Sequence, residues 1–467
     1  MRKLHRMEAK VYRGWVRLGI VVMLAWGLTG CDDAVSPGSS SELDQQLESL
    51  LIEASGGAGL SFFMLPEPDA FDQIPQDPRN PLNAKKVELG KLLYHETGLL
   101  VSPKRPEGKF TGSCASCHHA KAGFQAGRIQ GISEGGMGMG VRGEARTKNP
   151  AYADDELDVQ PIRSPTALNV AYQDVMLWNG QFGGTGTNLG TESQWNNDGS
   201  HPTFSNWLGY EGVETQAIAA LKVHRLAPIE STLVVTNPTY QQLLAEAFPE
   251  GMPETDEEHG LRVAAGLAIA AYERTLLANK APWQEWLRGK RNALSDQEKR
   301  GAILFFGKAA CVDCHTGPAL NSMTFYALGM PDLSGPGVFG PVEGTGAELG
   351  RGGFTKRDAD MYKFKTPQLY NLIDSPFMGH GGTFRSVREV VAYKNAGQPA
   401  NPKVPASQLA PQFKPLGLTE QEIDDLTAFI EKALYDPELT RYVPSSLPSG
   451  NCFPFNDPQS RQELGCN

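Results

Sequence analysis

The apolar positions of the chain recur at helical spacing in a few separate segments. In Lys86–Tyr94 they repeat every three or four residues, which predicts a short amphipathic helix. Leu261–Leu277 is apolar on nearly every side, which predicts a buried helix. Ser295–Glu298 and Thr419–Glu422 each have the Ser/Thr-x-x-Glu form of a capping box, which satisfies free N–H groups where a helix begins. These patterns predict four helices.

The segments between these helices are rich in residues that interrupt regular structure. The chain contains 51 glycines and 33 prolines among 467 residues, and Gly131–Gly143 and Thr185–Pro202 are two such stretches. Alternation of polar and apolar residues, which would predict strands, is scarce. The pattern therefore predicts a mainly α fold with long irregular loops.

Two short segments carry specific candidate chemistry. Cys114–His118 and Cys311–His315 both read Cys-x-x-Cys-His, the attachment sequence of c-type haem. The two thiols of each motif bond to the haem edge, and the histidine binds the iron. A zinc site built from the four cysteines is the alternative, and it leaves both histidines without a role. The residues predicted to hold two haems are Cys114, Cys117, His118, Cys311, Cys314 and His315.

The duplicated motif predicts two cytochrome c-like haem domains in tandem. We place the N-terminal haem domain at residues 65–290, the C-terminal one at 291–440 and a tail at 441–467. Residues 31–64 are rich in Ser, Gly and acidic residues, which predicts a flexible tether.

The start of the chain predicts export. Basic residues precede the uncharged apolar run Leu18–Leu28, which is too short to span a bilayer comfortably. The run ends at Leu28–Cys31, which resembles a bacterial lipoprotein cleavage box. We expect a signal peptide at residues 1–30, a lipid on Cys31 and a location on the periplasmic side of a bacterial membrane. Haem attachment to Cys-x-x-Cys-His also belongs to that compartment.

The charge of the chain argues against nucleic-acid binding. Loss of residues 1–30 lowers the basic residues from 43 to 37 and the acidic ones from 53 to 52, so the net charge changes from −10 to −15. Nucleic acids are bound through basic contacts to phosphate, which this balance disfavours. An acidic surface can instead steer a basic redox partner.

The cysteine count predicts one disulfide. Of seven cysteines, Cys31 is the lipid site and four hold haem, which leaves Cys452 and Cys466 in the tail. In an oxidising compartment the two should pair, and two free thiols are the alternative.

Several segments resemble those of the bacterial di-haem cytochrome c peroxidases, a family that includes the MauG-type enzymes of methylamine utilisation. The resemblance runs from about Leu65 to Pro437. The segments that carry it are Asn80–Leu82, Val87–Tyr94, Arg163–Asn169, Leu177–Gly180, Gly212–Ala217, Ala268–Leu276, Phe364–Asn371 and His380–Gly382.

The resemblance implies that hydrogen peroxide is reduced at the N-terminal haem, with electrons relayed through the C-terminal haem from a small cytochrome or cupredoxin. It implies that Glu214 moves the peroxide proton, and His224 is a second candidate for the same pocket. A bound Ca²⁺ ion is implied by the family resemblance, and a homodimer is a further expectation. Two alternatives stay open: a MauG-like oxidase that modifies a protein side chain, and a non-catalytic electron-transfer lipoprotein.

The resemblance also locates a sixth ligand for the C-terminal haem. Family members have Met or Tyr in the segment that corresponds to Ser386–Lys394, and Lys394 falls at the ligand position with Tyr393 beside it. Met378 and Met361 are further candidates.

The chain departs from the family at several positions. No histidine occurs in Ala120–Tyr152, where relatives often have one that covers the first iron, so we expect that iron to be open or water-bound before reduction. Gln181 stands where arginine is common, and the insert Phe182–Leu208 separates motifs that are usually close. Trp178 is the nearest candidate for a tryptophan between the haems.

Overall fold

Helices dominate the secondary structure of the computed structural model, which describes residues 39–196, 201–253, 257–340 and 343–466. The predicted signal peptide and Cys31 lie outside these residues. Within them, twelve segments are α-helical. The helices are α1 Ser40–Ala54, α2 Ala84–His95, α3 Gly212–Val223, α4 Thr232–Val235, α5 Pro238–Ala247, α6 Glu257–Arg274, α7 Pro282–Leu287, α8 Asp296–Phe306, α9 Arg351–Thr355, α10 Val387–Ala396, α11 Glu420–Ala428 and α12 Pro458–Leu464.

The four helices predicted from the sequence are present. The predicted amphipathic and buried helices are α2 and α6. The capping boxes at Ser295 and Thr419 form as predicted and begin α8 and α11, because each hydroxyl accepts from the N–H of the glutamate three residues later.

Strands contribute little to the described part of the chain. They are β1 Gly136–Met137, β2 Thr147–Lys148, β3 Phe325–Tyr326 and β4 Phe364–Lys365. β1 pairs antiparallel with β2 and β3 with β4, in registers that set Gly136 opposite Lys148 and Phe325 opposite Lys365. The predicted mainly α class is confirmed.

Close helix packing builds the core. A Cβ atom on Gly90 of α2 would lie 1.8 Å from the Ala268 carbonyl oxygen of α6, so only glycine permits this approach. A Cβ atom on Gly301 of α8 would likewise lie 2.0 Å from the Asp425 carbonyl oxygen of α11. One apolar cluster extends from Leu47 of α1 to Tyr442, which follows α11. Residues Ser40–Asn467 pack as one unit, and the predicted domain boundary at residue 290 stays a prediction.

Within the predicted tether, α1 packs against the rest of the described chain, so this stretch is not a flexible linker. Leu47 and Leu51 are fully buried, and Asp44 accepts hydrogen bonds from the Trp286 indole and from the Lys299 amine, each at 2.8 Å. The Ser-rich and acidic composition concealed a leucine stripe at helical spacing.

The C-terminal tail returns to the first haem motif. Cys452 and Cys466 form a disulfide, as predicted. The Pro454 carbonyl accepts a hydrogen bond of 2.8 Å from the Ser116 hydroxyl inside the first motif, and Asp457 pairs with buried Arg146 at 3.1 Å. The tail thus forms part of the wall behind that motif.

None of the helices in the described part of the chain combines the length and the hydropathy that a membrane span requires.

Candidate functional site

The second Cys-x-x-Cys-His motif presents its histidine ready to bind a metal. Cys311–Asp313 form a 3₁₀ turn, and the His315 Nδ1 atom lies 3.1 Å from the Leu320 carbonyl oxygen and 3.0 Å from that of Pro367. Carbonyl oxygens only accept, so Nδ1 carries the proton and Nε2 keeps its lone pair. Burial, together with the charge of Lys394, lowers the pKa of His315 to about 3, which keeps the ring neutral.

A cavity of about 280 Å³ adjoins this motif. It is lined by both motif cysteines and by His315, and most of its remaining wall is apolar. An apolar cavity beside two thiols and a neutral imidazole fits a covalently attached haem.

The first motif has the same construction. The His118 Nδ1 atom lies 3.3 Å from the Phe124 carbonyl oxygen, and its own carbonyl accepts a 2.7 Å hydrogen bond from the Tyr94 hydroxyl. Burial first, then the charge of His224, lowers the pKa of His118 to about 4. The imidazole is again neutral, and the backbone carbonyl fixes its orientation, which suits an iron ligand.

One short segment contacts both motifs. The Pro165 carbonyl lies close enough to His118 to act on its pKa, and the Ala167 N–H donates to the Phe124 carbonyl at 2.9 Å. Pro165 and Thr166 also line the cavity beside His315. The two candidate haem sites therefore share a wall.

Two cations near this wall, buried Arg163 and half-buried Arg128, have no described counter-charge. The Arg163 guanidinium, 1% exposed, bonds only to neutral acceptors, among them the Gln125 side chain at 2.8 Å and the Ser375 hydroxyl at 2.7 Å. Burial, together with nearby Arg385, lowers the pKa of Arg163 to about 9. The Arg128 Nη1 atom has no hydrogen-bond partner among the described residues. A haem, which carries two propionates, would supply the missing negative charge.

Trp178 lies at the second candidate site, and its position between the haems stays a prediction. Its indole N–H donates to the Arg163 carbonyl at 2.8 Å, and the residue lines the cavity at the second motif.

A histidine–aspartate pair lies beside the first motif. Both carboxylate oxygens of Asp158 lie 3.0 Å from the His224 Nδ1 atom, and Nε2 has no described contact. Burial disfavours the charged imidazole, but the charge and hydrogen bond of Asp158 outweigh it and raise the pKa of His224. The charge of His224 lowers the pKa of His118, and the charge of Asp158 raises that of Cys117. The pair therefore lies near the first haem site.

Glu214 is committed to an ion pair. Its two carboxylate oxygens accept from the Arg274 guanidinium at 2.8 and 2.7 Å, and both side chains are fully buried. The Asn80 amide lies 3.3 Å from the same carboxylate. This arrangement is that of a buried ion pair, in which Arg274 engages both carboxylate oxygens.

Sequence reasoning missed Glu273, the neighbour of Arg274 on α6. Its side chain is 7% exposed, and its Oε2 atom has no hydrogen-bond partner among the described residues. Burial first, then the charge of Glu214, raises the pKa of Glu273 to about 8. The charge of Glu273 in turn raises the pKa of Cys114. The available signal was a carboxylate within a helix that is otherwise apolar on nearly every side.

The candidates for the sixth ligand fall in different places. Lys394 and Met378 both line the cavity at His315, whereas Tyr393 and Met361 do not. The Tyr393 hydroxyl instead donates to the Leu328 carbonyl at 2.6 Å. No cluster of three or more His, Cys, Asp or Glu side chains suited to a metal ion occurs in the described residues, so Ca²⁺ stays an expectation.

The chain is similar to proteins of known class. The family model for di-haem cytochrome c peroxidase matches residues 84–292. Cytochrome-c peroxidase IdrP1 of Denitromonas iodatirespirans is 30% identical over 399 residues, which cover 81% of this chain and 88% of that protein. Methylamine utilization protein MauG of Methylorubrum extorquens is 27% identical over 432 residues, which cover 90% of this chain and 96% of that protein.

A solved structure shares the fold. The crystal structure of a MauG-like protein associated with microbial copper homeostasis matches with a TM-score of 0.52 and 23% identity, covering 80% of this chain and 95% of that chain. At this identity the match supports the fold alone.

Proposed function

Because the chain belongs to the di-haem cytochrome c peroxidase family, we propose that it binds a haem c at each Cys-x-x-Cys-His motif and reduces hydrogen peroxide at the first. Electrons reach that site through the second. The observation that carries the coupling of the two sites is their shared wall, in which Pro165 lies beside His118 and also lines the cavity at His315.

The residues at both motifs fit haem. When bound, haem supplies the redox chemistry, and the chain sets its position and surroundings. Each motif histidine directs Nδ1 at backbone carbonyls and keeps Nε2 for the iron. The cations of Arg163 and Arg128 would hold the propionates.

We assign the peroxide proton to His224. Asp158 holds Nδ1, so Nε2 is free to accept a proton from the substrate and to return it to the departing oxygen. The family-based assignment to Glu214 stays a prediction, but the buried ion pair with Arg274 argues for a structural role.

The setting follows from the sequence. We propose export through the signal peptide at residues 1–30 and a lipid on Cys31 that holds the protein at the periplasmic side of a membrane. The acidic chain would receive electrons from a small cytochrome or cupredoxin with a basic docking face.

Oxidation of a protein side chain is a second candidate function. The observation that favours it is the similarity to methylamine utilization protein MauG, which spans 90% of this chain. Both functions need an accessible first haem and a coupled second one.

The test begins with the intact mass of the mature protein, which should exceed the polypeptide plus lipid by two haems. The ferric protein is then mixed with hydrogen peroxide without any reductant, and the haem absorption is followed. We expect an immediate reaction, because residues 120–152 contain no histidine that could cover the first iron. His118→Gly should abolish the reaction although both thiols remain. Fewer than two haems, or no reaction before reduction, would contradict the proposal.

A further inference from the structure

Helix α10 directs one face into the cavity at the second motif. The Ser386 side chain caps its first turn by accepting from the Glu389 N–H. Val387 and Val391 are buried at 2% and 5% exposure, and both line the cavity. Lys394 follows at i+7 and i+3 from them, so it lies on the same face and also lines the cavity. The face of α10 that lines the cavity therefore carries two valines and, at its end, the amine of Lys394.

The Lys394 amine has no described partner. No hydrogen bond or ion pair joins it to any residue that the structure describes. It lies near enough to His315, Cys311 and Cys314 for its charge to act on all three. Lys394 is half-buried and lines the cavity, so its amine is available to a group bound there.

The neighbouring alternatives are weaker by their contacts. Tyr393 donates to the Leu328 carbonyl and accepts from the Ala400 N–H at 3.3 Å, so its hydroxyl is already satisfied away from the cavity. Met378 lines the cavity but is 8% exposed and part of the continuous apolar cluster, which suits a packing role.

We propose that the Lys394 ε-amine is the sixth ligand of the iron that His315 binds. This inference rests on the proposed haem at the second motif and specifies its second axial group. An amine is a harder donor than a thioether and favours ferric iron, so this haem should have a lower potential than one with methionine in that place. A closed coordination shell also confines peroxide to the first haem.

Three substitutions at Lys394 separate a ligand from a counter-charge. Lys394→Arg keeps the positive charge and could still pair with a propionate, but it has no lone pair for iron. Lys394→Met removes the charge and offers a thioether ligand. Lys394→Ala removes both. The readout is the electron paramagnetic resonance spectrum of the ferric protein, supported by a redox titration and by intact mass.

In the wild-type protein the second haem should give a low-spin signal. Lys394→Arg and Lys394→Ala should lose that signal, and Lys394→Met should recover a low-spin iron with a raised potential. A wild-type spectrum from Lys394→Arg would overturn the inference, because it would show that only the charge matters. A wild-type spectrum from Lys394→Met, with the signal lost in Met378→Leu, would assign the ligand to Met378 and overturn it too. A wild-type mass with fewer than two haems would instead reject the proposed function itself.

Discussion

Replacing His224 by glutamine tests the proton-transfer assignment. Glutamine can still donate a hydrogen bond to Asp158, so the loop geometry should survive, but it cannot accept and return a proton. Loss of a general base costs about 10²–10⁴-fold in rate. We therefore expect His224→Gln to slow the reaction of the ferric protein with peroxide by that factor, which corresponds to about 3–5 kcal/mol of activation free energy.

The same pair predicts a pH dependence. A base must be neutral to accept a proton, and Asp158 raises the pKa of His224. The rate should therefore rise with pH and become constant above that pKa. Asp158→Asn removes the charge that raises the pKa, so the rising part of the profile should move to lower pH. Arg225 acts in the opposite direction to Asp158 and is unchanged in this variant.

The assay is stopped-flow absorption of the ferric protein with excess peroxide, at several pH values, with haem content and thermal stability measured on the same samples. Glu214→Gln is the matched control. It breaks a buried ion pair with Arg274, which should cost about 3–5 kcal/mol of stability. The ion pair between Arg274 and Glu211 remains and reduces this cost. Wild-type kinetics in His224→Gln, together with a 10²-fold or larger loss in a stably folded Glu214→Gln, would refute the assignment and favour Glu214.

Three further predictions concern stability. Glu273→Gln should stabilise the protein increasingly as pH rises from 5 to 8, because the pKa of Glu273 is about 8 in the fold and about 4.3 unfolded, with a slope of at most about 1.4 kcal/mol per pH unit; a gain that does not vary with pH in denaturant titrations would contradict this. Exchange of Cys452 and Cys466 for serine opens a link across 14 residues and should lower the free energy of unfolding by about 3 kcal/mol, and an unchanged denaturation midpoint would show that the tail is held without it. Asp44→Ala should cost about 2–4 kcal/mol by leaving the buried Lys299 amine without its carboxylate, whereas a neutral effect would indicate that α1 is not docked in solution.

Local features were predictable from the sequence, because they depend on neighbouring residues. The capping boxes at Ser295 and Thr419 and the haem motifs are complete within a few positions of the chain. α1 was not predicted, because the polar and acidic composition of its segment is typical of a linker, although Leu43, Leu47 and Leu51 recur every four residues.

Contacts between distant positions were not predictable. Glu214 pairs with a residue 60 positions away, and His224 with one 66 positions away. No local pattern distinguishes a glutamate that faces a substrate from one that faces an arginine. The return of the tail to Ser116 across 338 positions is a further case, since it depends on the whole fold.

The central claim is that the second haem supplies electrons to the first. Its most direct test is the steady-state rate of peroxide consumption with a reduced small cytochrome, compared between the wild type and His315→Gly. This substitution removes the second iron's histidine and leaves both thiols and the first site intact. We predict that His315→Gly still reacts once with peroxide at the first haem but loses multiple turnover. Turnover at the wild-type rate, with the second haem shown by its spectrum to be altered, would contradict the account.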